Sequence, residues 1–317
     1  MIETIRSGWR QVPVPIRNLL RKTGLLYAAN YLVTCREMQR RERFAGNLAR
    51  LQEKRPENGN TDKKPILDAS IDDIFESIVL PNGVRKTTAA GRQLNTLKHF
   101  LSRPERPPDG SSIRVLDLPS SSGVASVDSY NLLCCHYNIT SYVLADLCLE
   151  VKYDRDRNAI YDPTGKLLQV QGAKCFFSIY RAHTSDPRHT FLSNLLLSPV
   201  SFRARQLKRK YALGQHQIPE TIRLLHPETE RGVDRGIFTA RNADVFSLQW
   251  VEEFELVLSF NLLQKNYFPP SKIAEGRQNL GRALTEGGYL ITGNTESFGV
   301  MRKTNEVLVT QYQHGEW

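Results

Sequence analysis

Asp117, Asp146 and Asp244 each close or follow a short apolar run, and a turn of small residues, PSSSG at 119–123, lies between the first two. The run IRVLDL (113–118) reads as a buried strand that stops at a turn where backbone can approach a ligand closely. A helix beginning near Val124 would present its free N–H groups there. In a parallel α/β sheet, ligands bind beyond the C-terminal ends of the strands. The second run, YVLADL (142–147), ends in Asp146, 23 residues beyond Gly123. A carboxylate in that place accepts hydrogen bonds from both hydroxyls of a ribose. Asp244, in RNADVF, follows the third run and could face an adenine edge. The chemistry implied is recognition of a nucleoside. Plainer roles stand beside it: Asp117 could cap the turn, and Asn261 could be a strand-end turn former. Asp244 could be the N-cap of a short helix through VFSLQWVEEF.

The elements that would position these residues alternate. Strands are predicted at 113–118, 142–147, 236–240, 254–260 and 289–293, and helices at 124–136 and 271–285. Near-continuous apolar strands separated by helices argue for a parallel sheet covered on both faces. The end differs: FGVMRKTNEVLVTQYQ (298–313) reads as an antiparallel hairpin around Lys303–Asn305. Two helices lead in. One spans 68–79, with Ile71, Ile74, Phe75 and Ile78 on one face; the other spans 86–104, capped by Thr87 or Thr88 and stopped by Pro104. The expected class is α/β, a Rossmann-like sheet with an antiparallel C-terminal hairpin. The domains follow as a basic helical arm and linker (1–65), a helical lead-in (66–110) and the sheet domain (111–317).

An interruption at 151–233 is too long for a simple connection and marks an insertion. It opens with hairpin chemistry, Asp162, Pro163 and Gly165 at the bend. HTFLSNLLLSPVSF (189–202) follows, fourteen uncharged residues, and then Arg203, Arg205, Lys208, Arg209 and Lys210 with no acid among them. That run is too short to cross the ~30 Å of hydrocarbon in a bilayer. It suits either a lid helix over the active-site mouth or a segment dipping into an anionic interface. The expected partner is an anionic membrane surface, met weakly through 189–210.

Composition sets the outer limits. The chain has 317 residues, 40% apolar and 24% charged, which is a globular composition. A formal charge of +10 implies attraction to something anionic. Residues 1–55 hold twelve Lys or Arg against four Asp or Glu. Leu20, Leu25, Tyr27, Tyr31 and Leu32 recur there at helical spacing, for docking on the domain or on an anionic surface. Five cysteines without a CxxC pair (Cys35, Cys134, Cys135, Cys148 and Cys175) argue against a disulfide framework or a zinc site, and fit a reducing cytoplasm. Glu3 and Arg6 at the start do not read as a secretory signal; the arginine-rich character leaves a transit peptide open.

Residues 113–147 and 234–297 resemble the class I S-adenosylmethionine-dependent methyltransferases. The first motif there is an acid followed by alternating glycines; DLPSSSG keeps Asp117 and Gly123, with Pro119 and Ser121 in the place of two glycines. Within the class the motifs are most similar to the chemotaxis-receptor methyltransferases: the serine-rich loop, LAD at 144–146, FNLLQKNYF at 260–268 and GGYLITGNTES at 287–297. The resemblance implies S-adenosylmethionine as cofactor. Asp117 with Pro119, Ser120, Ser121, Ser122 and Gly123 would hold its methionine part, and Asp146 beside Leu147 its ribose. Asp244 and Val245 would bracket the adenine, and Asn261 would lie beneath the sulfonium. Pro119 removes an N–H that a glycine would offer.

Methyl transfer from a sulfonium is an in-line displacement in which positioning does much of the work. Where the acceptor is a hydroxyl or an amine a nearby base helps, and His136, Tyr267 and Glu296 are the candidates. The acceptor is not named by the sequence. The altered first loop leaves a non-catalytic binding protein as the second reading. A nucleic-acid methyltransferase is a third and is not favoured, because the chain lacks a Pro-Pro-Tyr type tetrapeptide after the fourth strand.

Overall fold

A computed structural model describes residues 90–154, 156–157, 159–171, 176–178, 202, 205–213, 219–264, 268–294 and 297–315. The basic arm, the 68–79 helix, Thr87, Thr88, most of the 189–202 run, Tyr267 and Glu296 lie outside the described residues. Two compact units form. One, Lys86–Leu149 with Arg223–Trp317, carries a seven-stranded sheet; the other includes Glu150–Ile222 and carries a five-stranded sheet.

The first unit contains helices α1 (Leu94–Leu101), α2 (Val124–Leu133), α3 (Pro227–Asp234) and α4 (Pro270–Ala283). Its strands are β1 (Ser112–Asp117), β2 (Asn138–Asp146), β8 (Thr239–Asn242), β9 (Phe254–Phe260), β10 (Leu284–Gly293), β11 (Phe298–Thr304) and β12 (Val307–His314). The sheet order is β12-β11-β10-β9-β1-β2-β8. Pairing is parallel from β10 through β9, β1 and β2 to β8, and antiparallel at β10–β11 and β11–β12. This is a Rossmann-like α/β sheet with an antiparallel terminal hairpin.

Adjacent strand residues explain why the runs are apolar throughout. Val115, Leu144, Leu258 and Ile291 face one core layer with Leu97, Phe100, Leu133 and Phe238. Their neighbours Leu116, Val143, Val257 and Leu290 face the opposite layer with Ile273, Leu280 and Ala283 of α4. Each of these four strands, β1, β2, β9 and β10, is covered on both faces, so period-two alternation disappears.

Several boundaries differ from the sequence reading. Helix α1 begins at Leu94, because Gly91 turns the chain at φ +72° and donates its N–H to the Asp128 carboxylate. Helix α2 stops at Leu133, short of 136. Strand β8 starts at Thr239 rather than 236: the N–H groups of Ile237 and Phe238 both close onto Gly232 O at the end of α3. The hairpin turns at Asn305–Glu306 instead of Lys303–Asn305, with both residues at positive φ as a tight primed turn requires. The stretch 223–233, expected within the insertion, belongs to the sheet unit. Its helix α3 starts with Pro227 at the first turn, beside Glu228 and Glu230, and His226 Nδ1 accepts the Glu228 N–H.

The second unit holds β3 (Glu150–Asp154), β4 (Ala159–Tyr161), β5 (Leu167–Gln171), β6 (Phe176–Ser178) and β7 (Glu220–Arg223), in the order β6-β5-β4-β3-β7. The bend between β4 and β5 uses the expected residues: Asp162 Oδ1 accepts from Thr164 Oγ1 and Lys166 N, and Gly165 adopts φ +88°. Ala159, Tyr161, Leu167, Val170 and Leu207 form its core. Where the chain leaves and re-enters the first unit, Leu224 N donates to Leu149 O at 2.7 Å. Among the described residues no helix is long and apolar enough to cross a membrane.

Candidate functional site

Parallel pairing puts the ends of β1, β2, β8 and β9 at one edge of the sheet, and with them Asp117, Asp146, Asp244 and Asn261. Leu147 follows β2 and is half-buried. Four separate stretches of sequence therefore meet along a single edge, as the sequence reading expected of a ligand site. What those residues touch is less open than that reading implies.

The first loop is knitted into the sheet. Leu118 N donates to Leu258 O and Ser120 N to Ala145 O, extending the pairing of β1 past its end. Gly123 N closes back onto Ser120 O at 2.8 Å. Ser121 sits at φ +57° and donates its N–H to Asp146 Oδ2 at 2.8 Å. Ser122 O accepts the His226 N–H at 2.8 Å, which ties the loop to the start of α3. Gly123 is the N-cap of α2 at φ +79°. Ser120, Ser121, Ser122 and Gly123 are buried, and Pro119, after a cis bond, is half-buried.

Asp117 is fully buried. Ser126 Oγ donates to its Oδ2 at 2.6 Å, and the Tyr142 hydroxyl reaches the same oxygen at 3.3 Å. Oδ1 is buried without a hydrogen-bond partner. Burial pushes this carboxyl up to about 7, against the pull of Ser126 and Tyr142 and with a smaller push from the Asp146 charge. Burial likewise raises the Tyr142 phenol, with Asp117 adding to it. Ser126 and Tyr142 were not singled out by the sequence; once the helix start at Val124 is fixed, Ser126 falls on the turn above Asp117.

Asp244 is partly exposed and its Oδ1 accepts the Phe246 N–H at 3.0 Å, while its carbonyl accepts Ser247 N. It caps a turn, not a helix. Val245 is 3% exposed and belongs to the core layer of α4. Asn261, at φ +59°, donates its N–H to Gly293 O and accepts Gln264 Nε2 at 3.1 Å.

His136 is corrected as a base. It follows α2 and precedes the first residue of β2, so it stands at the opposite edge of the sheet, roughly 20 Å from the acids by the rise of a strand. Its Nδ1 pairs with Asp109 Oδ1 at 3.0 Å. The same edge carries a cavity of about 370 Å³ lined by Arg106, Glu255, Gly288, Tyr289 and Arg302. Arg106 there is already engaged by Asp109, and Arg302 by Gly287 O.

The fit of an adenosyl cofactor divides along the site. At the methionine end, Asp117 Oδ1 and Ser120 Oγ are buried polar atoms with no hydrogen-bond partner, so they have capacity for an ammonium, but at 0% and 2% exposure they too are reached only if the loop moves. At the ribose end the residues do not fit as they stand. Asp146 is 5% exposed, and Oδ2 and Oδ1 accept Ser121 N and Cys148 N.

No family model and no curated protein sequence matches the chain. Among solved structures, the [4+2]-cyclase SpnF aligns over 64% of this chain and 46% of its own, at 13% identity and a TM-score of 0.29. The CMeT domain of the citrinin polyketide synthase aligns over 72% and 39%, at 14% identity and a TM-score of 0.30. The chain spans less than half of the length of these two structures. The N-methyltransferase NodS from Bradyrhizobium japonicum WM9, in complex with S-adenosyl-L-homocysteine, aligns over 64% and 62%, at 11% identity and a TM-score of 0.27. Likeness at this level transfers neither residue roles nor a substrate.

Proposed function

We propose that the chain is a class I methyltransferase that binds S-adenosylmethionine and delivers its methyl group to an oxygen or nitrogen acceptor. One observation supports the reading: Asp117 with the 119–123 loop, Asp146, Asp244–Val245 and Asn261 meet at the C-terminal edge of four neighbouring strands. The motif likeness to chemotaxis-receptor methyltransferases belongs to the same reading. Asp117 and Ser120 would hold the methionine part, Asp146 the ribose once the loop releases it, and the Asp244 turn the adenine. Calorimetry of the full chain with S-adenosylhomocysteine is the test. Binding in the micromolar range, weakened by Asn261→Ala, is expected; no heat at millimolar ligand removes the reading.

The occupied Asp146 favours a second reading, a binding protein that keeps the fold without catalysis. It is selected if the ligand binds while no acceptor is methylated in extracts supplied with labelled cofactor.

A cytoplasmic location and weak contact with anionic membranes through 189–210 are part of the proposal. Phe202 is 58% exposed, and the exposed Arg209 and Lys210 follow it. Sedimentation with phosphatidylglycerol vesicles should recover more protein than with neutral vesicles. Equal recovery, or no change after Lys208, Arg209 and Lys210 become Glu, removes the membrane contact.

A further inference from the structure

We infer that Asp146 is a latch on the first loop, a positioning residue that holds 119–123 shut in the free protein. The inference deepens the cofactor reading but does not depend on it. A carboxylate awaiting two ribose hydroxyls needs open space in front of it, and Asp146 has 5% exposure. Its Oδ2 takes the Ser121 N–H at 2.8 Å and its Oδ1 the Cys148 N–H at 3.2 Å. An ionised carboxylate keeps further lone pairs, so the shortage is of access, not of acceptor capacity.

Ser121 gives the contact its consequence. It is a non-glycine residue at φ +57°, a conformation that persists only where surroundings hold it. The charge-assisted bond from Asp146 holds its N–H, while Ser120 N on Ala145 O and His226 N on Ser122 O fix the residues on either side. The tip of β2 is itself anchored: Ala243 N donates to Asp146 O, and Leu149 N to Asn242 Oδ1. The carboxylate is thus a fixed post and the loop the part that swings. A ligand that reaches Asp146 must first move the loop that covers it.

Amide hydrogen exchange of the full chain without ligand tests this. The hydrogen-bonded amides of Ser120, Ser121 and Gly123 should exchange slowly in the wild type, and that of Ser121 at least tenfold faster in Asp146→Ala, which leaves it no side-chain acceptor. Amides of β9 (Phe254–Phe260) should be unchanged, which separates loop opening from unfolding. Loop amides that exchange in the wild type as fast as those of an unstructured peptide of the same sequence overturn the latch. So does an Asp146→Ala protein that keeps slow exchange at Ser121. If Asp146→Ala does not fold, the wild-type comparison decides alone. Failure of S-adenosylhomocysteine to bind any form would remove the cofactor reading and leave this readout intact.

Discussion

The Thr229 side chain stands where a β-carbon on Gly123 would be: that carbon would lie 2.3 Å from Thr229 Cγ2 and 2.8 Å from Oγ1. Gly123 is left-handed at φ +79° and Thr229 is completely buried on α3. The glycine that resembles a cofactor-loop glycine therefore serves helix–helix packing in this chain. It lets α3 come down onto the start of α2.

Gly123→Ala should consequently destabilise the protein by about 2–4 kcal/mol, of which roughly 1 kcal/mol is the left-handed backbone and the rest overpacking. Combining it with Thr229→Ala should recover part of the loss, since the Thr229 Cβ contact at 3.0 Å and the φ remain. Urea midpoints of the two single variants and the double variant measure the coupling. Strict additivity would mean the two residues do not meet.

Asp117 makes stability fall as pH rises. Its folded-state value, near 7, lies above the usual unfolded value of about 4, so the folded protein binds the extra proton between those limits. Stability from this group is greatest near pH 4, declines up to about pH 7 and is then level, by on the order of 1 kcal/mol per pH unit. Asp117→Asn keeps an acceptor for Ser126 and cannot titrate. The variant should gain on the wild type as pH rises and match it near pH 4, in denaturant midpoints taken across that range. Parallel pH profiles would refute the assignment.

A second carboxylate should act in the opposite sense. Glu255 Oε2 accepts Arg114 N at 2.7 Å and Nε at 3.1 Å, and Oε1 accepts Nη2 at 2.6 Å, which joins β9 to β1. Partial burial raises this carboxyl, but the Arg114 bonds outweigh it and hold it below the usual range. Its contribution is present above the unfolded value and lost as pH falls through the folded one. The pair is partly exposed, so Arg114→Lys should cost only about 1 kcal/mol or less at neutral pH. The difference from wild type should shrink in acid and in high salt.

The sheet was legible because burial on both faces leaves a mark: near-continuous apolar runs such as FELVLSF, found at 254–260 as expected. The edge holding the acids followed from strand ends alone. Helix α3 was hidden because PETERGVD is polar and lies beside an insertion; Pro227 and the acids of its first turn were the usable signals. The closing of the loop had no such signal. It depends on Thr229 and His226, more than a hundred residues from Gly123, and on a carboxylate turned toward backbone, which residue types and spacing do not encode.

The join between Leu149 and Leu224 leads to the last prediction. Their backbones meet at 2.7 Å, so the chain leaves the first unit and returns to it at nearly one point. Long insertions at such a neck add little closure entropy, since the cost grows only with the logarithm of length. A chain of residues 86–149 and 223–317 joined by Gly-Gly should therefore keep the seven-stranded order, because each pairing in that sheet and both of its core layers come from those residues. Far-ultraviolet circular dichroism and urea unfolding should show one cooperative transition. A gradual, non-cooperative loss of signal would mean that the sheet unit cannot hold its core without the inserted residues.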